Sequence, residues 1–152
     1  MISDTDGSVN PSADRDATVL VDNGLEILSP DECRDLLRRG EVGRVAVTIA
    51  ALPAVFPVNY ALLGDEIVFL TGEGTKLRAA VAEAVVAFEV DDFDATRPYG
   101  WSVLAVGVAQ EITDPEQLSA ARNLGLHPFA AGDRTHFVKI RPEFISGRRI
   151  FQ

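Results

Sequence analysis

From residue 29 onward the chain switches between helical and extended hydrophobic periods, and each switch marks an expected element. Ser29-Pro30-Asp31-Glu32 has the form of a capping box with proline in the first turn. Cys33, Leu36 and Leu37 then make one narrow apolar stripe, and Gly40 supplies a stop. The pattern becomes extended over 44–50 and again over 54–62, which predicts two strands. Leu63-Gly64-Asp65 turns the second of them into a strand over 66–71, an antiparallel hairpin. A glycine-containing loop at 72–75 leads into an Ala-rich helix over 76–84, and a buried strand follows over 85–90. An acidic loop is expected over 91–100, then a long strand from Trp101 to about Ile112. Asp114-Pro115-Glu116-Gln117 opens a further capped helix that runs to about Leu124, and 125–134 reads as loop. Strands around 136–140 and 144–150, separated near Pro142, close the chain.

Six or seven strands in sequence-adjacent pairs, with three short helices, predict a mostly β domain. An antiparallel barrel or sandwich suits them better than a parallel α/β sheet. The 152 residues suit one domain. Residues 1–24 are rich in Asp, Ser, Gly and Asn, and predict a disordered acidic tail before a domain over 25–152.

Composition narrows the partners. The net charge is −9, of which the tail, with five Asp and one Arg, carries −4. Such a field repels nucleic acid and anionic membrane, so neither is an expected partner. An anionic ligand needs local donors that override it. Only two of the fourteen basic residues are lysines, Lys76 and Lys139. Cys33 is the only cysteine, which excludes an internal disulfide and suits a reducing compartment. No apolar run is long enough to span a bilayer, and no basic stretch followed by an apolar one opens the chain. A soluble cytoplasmic protein is expected.

The strongest local signal for chemistry is Thr71-Gly72-Glu73-Gly74-Thr75-Lys76, between a strand and a helix. Glycines let backbone N–H groups turn towards an anion, Thr71 and Thr75 offer hydroxyls, and Lys76 brings a full charge. The spacing is not that of a Walker motif, and the segment also reads as a plain turn with Thr75 as helix cap. Trp101 and Ser102, in Tyr99-Gly100-Trp101-Ser102-Val103, can flank a planar ring, although a lone tryptophan more often anchors a core. Asn59, between Val58 and Tyr60 in an apolar strand, needs partners that either a heterocycle or the backbone can provide. Asp91, Asp92 and Asp94 read as a solvated acidic loop, and His127 and His136 lie apart without metal-ligand spacing. No nucleophile and base pair is recognisable, so hydrolytic catalysis is not expected. Arg141, Arg148 and Arg149 either complete an anion pocket or form the polar face of the last strands.

Taken together, ordered segments resemble the pyridoxamine 5′-phosphate oxidase-like, FMN-binding split-barrel superfamily, in its actinobacterial and nitroimidazole-reductase-like branch. They are Leu28-Ser29 with Glu32-Cys33 and Leu36-Leu37, Gly43-Arg44-Val45-Ala46, and Phe56-Pro57-Val58-Asn59-Tyr60. They continue with Phe69 and Thr71 with Gly74 and Lys76, Phe88-Glu89-Val90-Asp91, Gly100-Trp101-Ser102-Val103 with Gly107, and Ile145-Ser146-Gly147-Arg148-Arg149. The resemblance implies a six-stranded antiparallel split β-barrel with short flanking helices, forming a homodimer with two flavin sites at the interface. It implies that Lys76 and Thr71 hold the FMN phosphate with Thr75 assisting. Val58 and Asn59 would lie against the ring, Trp101 and Ser102 would border it, and Arg148 would contribute from the same chain or across the interface. Gly147-Arg148-Arg149-Ile150 stands where pyridoxamine phosphate oxidases carry Arg-x-His, so oxidation of vitamin B6 phosphate is not implied.

With FMN bound, the expected activity is that of an oxidoreductase moving reducing equivalents from NAD(P)H to a small planar acceptor. The alternatives are a deazaflavin-dependent reductase and a non-catalytic flavin or haem carrier or sensor.

Overall fold

The computed structural model describes residues 21–127 and 135–150. Eight strands and three helices fall within them: β1 (Val21–Asp22), β2 (Leu25–Ile27), α1 (Pro30–Arg39), β3 (Val42–Ile49), β4 (Leu52–Leu63), β5 (Glu66–Gly72), α2 (Lys76–Ala80), β6 (Val85–Asp94), β7 (Tyr99–Glu111), α3 (Pro115–Arg122) and β8 (Thr135–Ile150). The strand order β8-β5-β4-β3-β6-β7 closes on itself, because β7 also pairs with β8. That ring is the six-stranded antiparallel barrel expected from the sequence. Closure leaves no free edge along the ring. The β1–β2 hairpin is an addition, pairing with β8 at Arg148, Arg149 and Ile150.

Alternation along each strand fills the interior with Val45, Val47, Val58, Tyr60, Ile67, Phe69, Val86, Phe88, Val90, Val103, Val138 and Ile140. α1 covers part of this core with the predicted stripe of Cys33, Leu36 and Leu37. Its capping box is present: Ser29 N donates to Glu32 Oε2 at 2.8 Å, and Glu32 N donates to Ser29 Oγ at 3.2 Å. α3 packs Ala121 and Leu118 over a smaller cluster with Val68 and Ile112 on the outside of the barrel.

Four expectations change in detail. The acidic segment 91–100 is not a loop but the end of a hairpin, since the β6–β7 ladder runs out to Asp94 and Tyr99. Asp92 and Phe93 are exposed there and Asp91 and Asp94 half-buried, which a hairpin end reaching into solvent accommodates. Asp94 closes the turn by accepting from Thr96 N (2.8 Å), Thr96 Oγ1 (2.6 Å) and Arg97 Nε (2.8 Å). The two expected C-terminal strands are one, β8, because Pro142 falls at a register shift opposite Gly107, where a bulge accommodates it. α2 is five residues long and ends well short of Ala84, with Glu83 in the left-handed region. Within the expected tail, Asn23 and Gly24, both at positive φ, turn Val21–Asp22 back onto β2 as a strand. Residues 1–20 of the expected tail, and 128–134 of the expected loop, lie outside the described residues. Among the described residues no helix is long and apolar enough to cross a membrane.

Candidate functional site

Where β5, β7 and β8 reach one end of the barrel, their inward-facing positions turn from apolar to polar. Phe69 is followed by Thr71, Ala109 by Glu111, and Val138 is preceded by His136. Thr71 and His136 are cross-strand partners, as are Phe69 and Val138. The 71–76 loop and α2 lie over this mouth.

Thr71 is buried, and its hydroxyl faces the His136 carbonyl oxygen at 3.5 Å, the outer limit of a hydrogen bond. Gly74 has φ +70, and a side chain there would meet nothing within 4 Å, so the loop turns outward through a position that suits glycine. Thr75 is the helix cap: its hydroxyl accepts from Arg78 N at 3.1 Å and donates to the Gly72 carbonyl at 2.8 Å. Lys76 is exposed and, among the described residues, makes no ion pair. A free cation beside an open glycine turn fits a phosphate.

Below the loop sits a four-residue polar cluster. His136 Nδ1 is 2.5 Å from Glu111 Oε1, and its Nε2 contacts Glu73 Oε2. Arg78 reaches both acids, Nη1 to Glu73 Oε1 at 3.4 Å and Nη2 to Glu111 Oε2 at 3.6 Å. Its Nε is buried without a hydrogen-bond partner. Hydrogen bonds donated to Glu73 first, then Glu111, raise the His136 pKa above its usual value. A cavity of about 170 Å³ lined by Thr71, Arg78, Glu111 and His136 opens beside the cluster. A wider cleft of about 700 Å³, reaching Leu118 and Arg122 of α3, adjoins it.

Asn59 lies on the outer side of β4, and its Nδ2 donates to the His127 carbonyl at 3.0 Å. Val58 points into the core, as does Trp101. Ser102 and Arg148 are direct partners on β7 and β8, and both are half-buried. Arg148 Nη1 donates to the Gly147 carbonyl at 3.0 Å. Arg149 is committed to Glu26 (3.2 Å) and Glu32 (3.7 Å), and so ties β2 and α1 to β8.

The sequence model of pyridoxamine 5′-phosphate oxidase matches residues 29–149. This chain belongs to that family. Within it, the chain is 41% identical over 128 residues to the uncharacterized protein Rv0080 of Mycobacterium tuberculosis, covering 81% of this chain and 84% of that one. Among solved structures, an FAD binding protein from Mycobacterium smegmatis superimposes with a TM-score of 0.73 at 39% identity, covering 83% of this chain and 99% of the other. An FAD-binding protein from Mesorhizobium loti does so with a TM-score of 0.66 at 26% identity, covering 82% and 97%.

Against the site that the family resemblance implies, the eight residues fall into two groups. Val58, Asn59, Thr71, Thr75 and Lys76 belong to β4, β5 and the adjoining loop. The last β4–β5 pair is Tyr60 with Phe69, so Val58 and Thr71 follow it just beyond the paired stretch, both facing inward. Trp101, Ser102 and Arg148 lie at the other end of β7. Ser102 precedes Glu111 by nine residues, roughly 30 Å along an extended strand. The Glu73–Arg78–Glu111–His136 cluster was missed, because its members are far apart in sequence. Extending the inward alternation of β5, β7 and β8 one step past the apolar run would have found Glu111 and His136.

Proposed function

We propose that this protein binds a flavin nucleotide by its phosphate at the 71–76 loop and works as a homodimeric oxidoreductase. The observation that carries the reading is Lys76, exposed and without an ion pair among the described residues, next to the open turn at Gly74. Lys76 supplies the charge, and the loop N–H groups supply donors. Thr75 keeps the loop in shape, since its hydroxyl is used in capping. The naming of similar structures as FAD-binding favours FAD over FMN, and both carry the riboflavin 5′-phosphate that this loop would hold. When bound, the flavin supplies the two-electron chemistry between NAD(P)H and a small planar acceptor. The chain's own part is to hold the phosphate, seat the ring near Asn59 and leave one face open to substrate.

A second copy is supported by the outer surface of the barrel. Val55, Ala46, Ala87, Val106 and Phe144 are successive partners across β4, β3, β6, β7 and β8, a continuous apolar row. Val55 is 61% exposed and Phe144 56%, and exposed Leu104 widens the row. Apolar area of this extent on a sheet face suits an isologous contact. A dimer would also account for the Ser102–Arg148 pair, which is too far from the loop to meet the same flavin within one chain.

The test is to identify the flavin released from purified protein and to measure turnover with NADPH or NADH. Lys76→Ala is expected to weaken FMN and FAD about tenfold, the value of one charge-assisted phosphate contact, and to leave riboflavin unchanged. Equal losses for riboflavin would remove the phosphate assignment. Flavin bound tightly without turnover with any acceptor would make the protein a carrier.

A further inference from the structure

The loop proposed to hold the phosphate contains an acid, Glu73, and an acid beside an anion site is a liability unless something neutralises it. Among the described residues, Arg78 from α2 and His136 from β8 do so here. His136 is held on both ring nitrogens, by Glu111 of β7 and by Glu73 of the loop. A neutral imidazole has one N–H and one lone pair, so it can donate to only one carboxylate; only the imidazolium donates to both. The two carboxylate contacts are both satisfied only by the protonated ring, which the Arg78 guanidinium, 3.5 Å from Nδ1, opposes in part.

We propose that His136 is a positioning residue for the phosphate loop, and that its protonation pins Glu73 against the barrel mouth and strengthens the hold on an anionic ligand. The proposal rests on the flavin-phosphate reading and adds its regulation by pH. Among the described residues, the charged groups facing His136 are Glu73 from the loop, Arg78 from α2 and Glu111 from β7, with Arg122 of α3 lining the same cleft. With an imidazolium, His136, Arg78 and the two acids are together neutral. With an imidazole they carry one net negative charge, next to the place where a phosphate would sit. Deprotonation also removes the donor from one carboxylate. Glu111 is held in the β7 ladder, whereas Glu73 stands on a glycine-flanked loop, so Glu73 is the acid that moves. Its displacement alters the loop that precedes Lys76. The two carboxylates that favour the proton also shift this titration upward from the ordinary histidine value.

The experiment measures dissociation constants of FMN and riboflavin from about pH 6.5 to 9, above the second phosphate ionisation near pH 6. The wild type, His136→Gln, His136→Arg and Glu73→Gln are compared, with the His136 ring signal followed by NMR. In the wild type, FMN affinity is expected to fall about threefold to tenfold as His136 loses its proton, the size of one charge interaction in partly solvated surroundings. Residual ionisation of the phosphate would act in the opposite direction and cannot imitate this fall. His136→Gln is expected to bind weakly at every pH, and His136→Arg to restore a tight, level profile. Glu73→Gln should bind FMN more tightly than wild type, lose most of the pH dependence and lower the His136 titration midpoint.

A wild-type FMN profile that is flat, or that His136→Gln reproduces, overturns the role of His136 while FMN still outbinds riboflavin. Riboflavin binding as well as FMN at all pH values, or neither binding, overturns the phosphate reading and this proposal with it.

Discussion

The Tyr60 hydroxyl donates a 2.7 Å hydrogen bond to the Leu37 carbonyl oxygen, joining the inside of β4 to the last turn of α1. A helix leaves its final carbonyls without intrahelical partners, and a buried one must find a donor elsewhere. The same ring meets Phe88 edge-on, with centroids 4.8 Å apart and planes at 70°. Burial raises the Tyr60 pKa, so the hydroxyl keeps its proton and stays a donor. Tyr60→Phe preserves the packing and removes only the bond. A loss of about 1–2 kcal/mol in unfolding free energy is expected, read as a lower denaturant midpoint with an unchanged slope. An unchanged midpoint would mean that the contact contributes nothing to stability.

Gly107 sits where β8 changes register. A Cβ built there would lie 2.1 Å from the Arg141 carbonyl oxygen, which is backbone inside a ladder and has no flexible end to swing away. Gly107→Ala is therefore expected to cost more than about 2 kcal/mol. Thermal unfolding followed by circular dichroism would measure it, and a variant as stable as wild type would show that the bulge can open freely.

Stability should also depend on His136. Its folded-state pKa is raised by Glu73 and then Glu111, so folding favours the protonated ring. The stabilisation is complete below the unfolded value of about 6.5 and disappears as pH rises through the folded value. The thermal midpoint of the wild type is expected to decline across that window, with the decline absent in His136→Gln. Parallel curves for the two proteins would remove the ring as the source.

The apolar row across the barrel makes the fourth prediction. Phe144→Asp places a charge on an exposed position of one monomer, so it should leave the fold of the chain intact. Across a dimer contact it would bury an unpaired carboxylate, at a cost of several kcal/mol. Light scattering should then report a shift from dimer to monomer, accompanied by loss of flavin if the site needs both copies. A wild-type protein that is already monomeric would sink the assembly.

Much of the architecture is local, and so legible in the residues themselves. The Ser29–Glu32 capping box, the Cys33–Leu36–Leu37 stripe and the two-residue alternation of the strands depend on near neighbours. The turn at Gly72–Thr75 and its cap at Thr75 were legible for the same reason, since glycines before a helix start act through local backbone geometry. Closure was not local. Whether 91–100 is loop or hairpin, and whether Pro142 divides two strands or marks a bulge in one, depends on ladders between distant segments. The neighbours of His136 belong to the same class: Glu111 is 25 residues away and Glu73 is 63. Sequence by itself determined where the helices start and where most strands run, because those follow from periodicity and caps. Only the tertiary structure decided that one histidine faces two carboxylates and an arginine, because closing a barrel brings the ends of β5, β7 and β8 to one mouth.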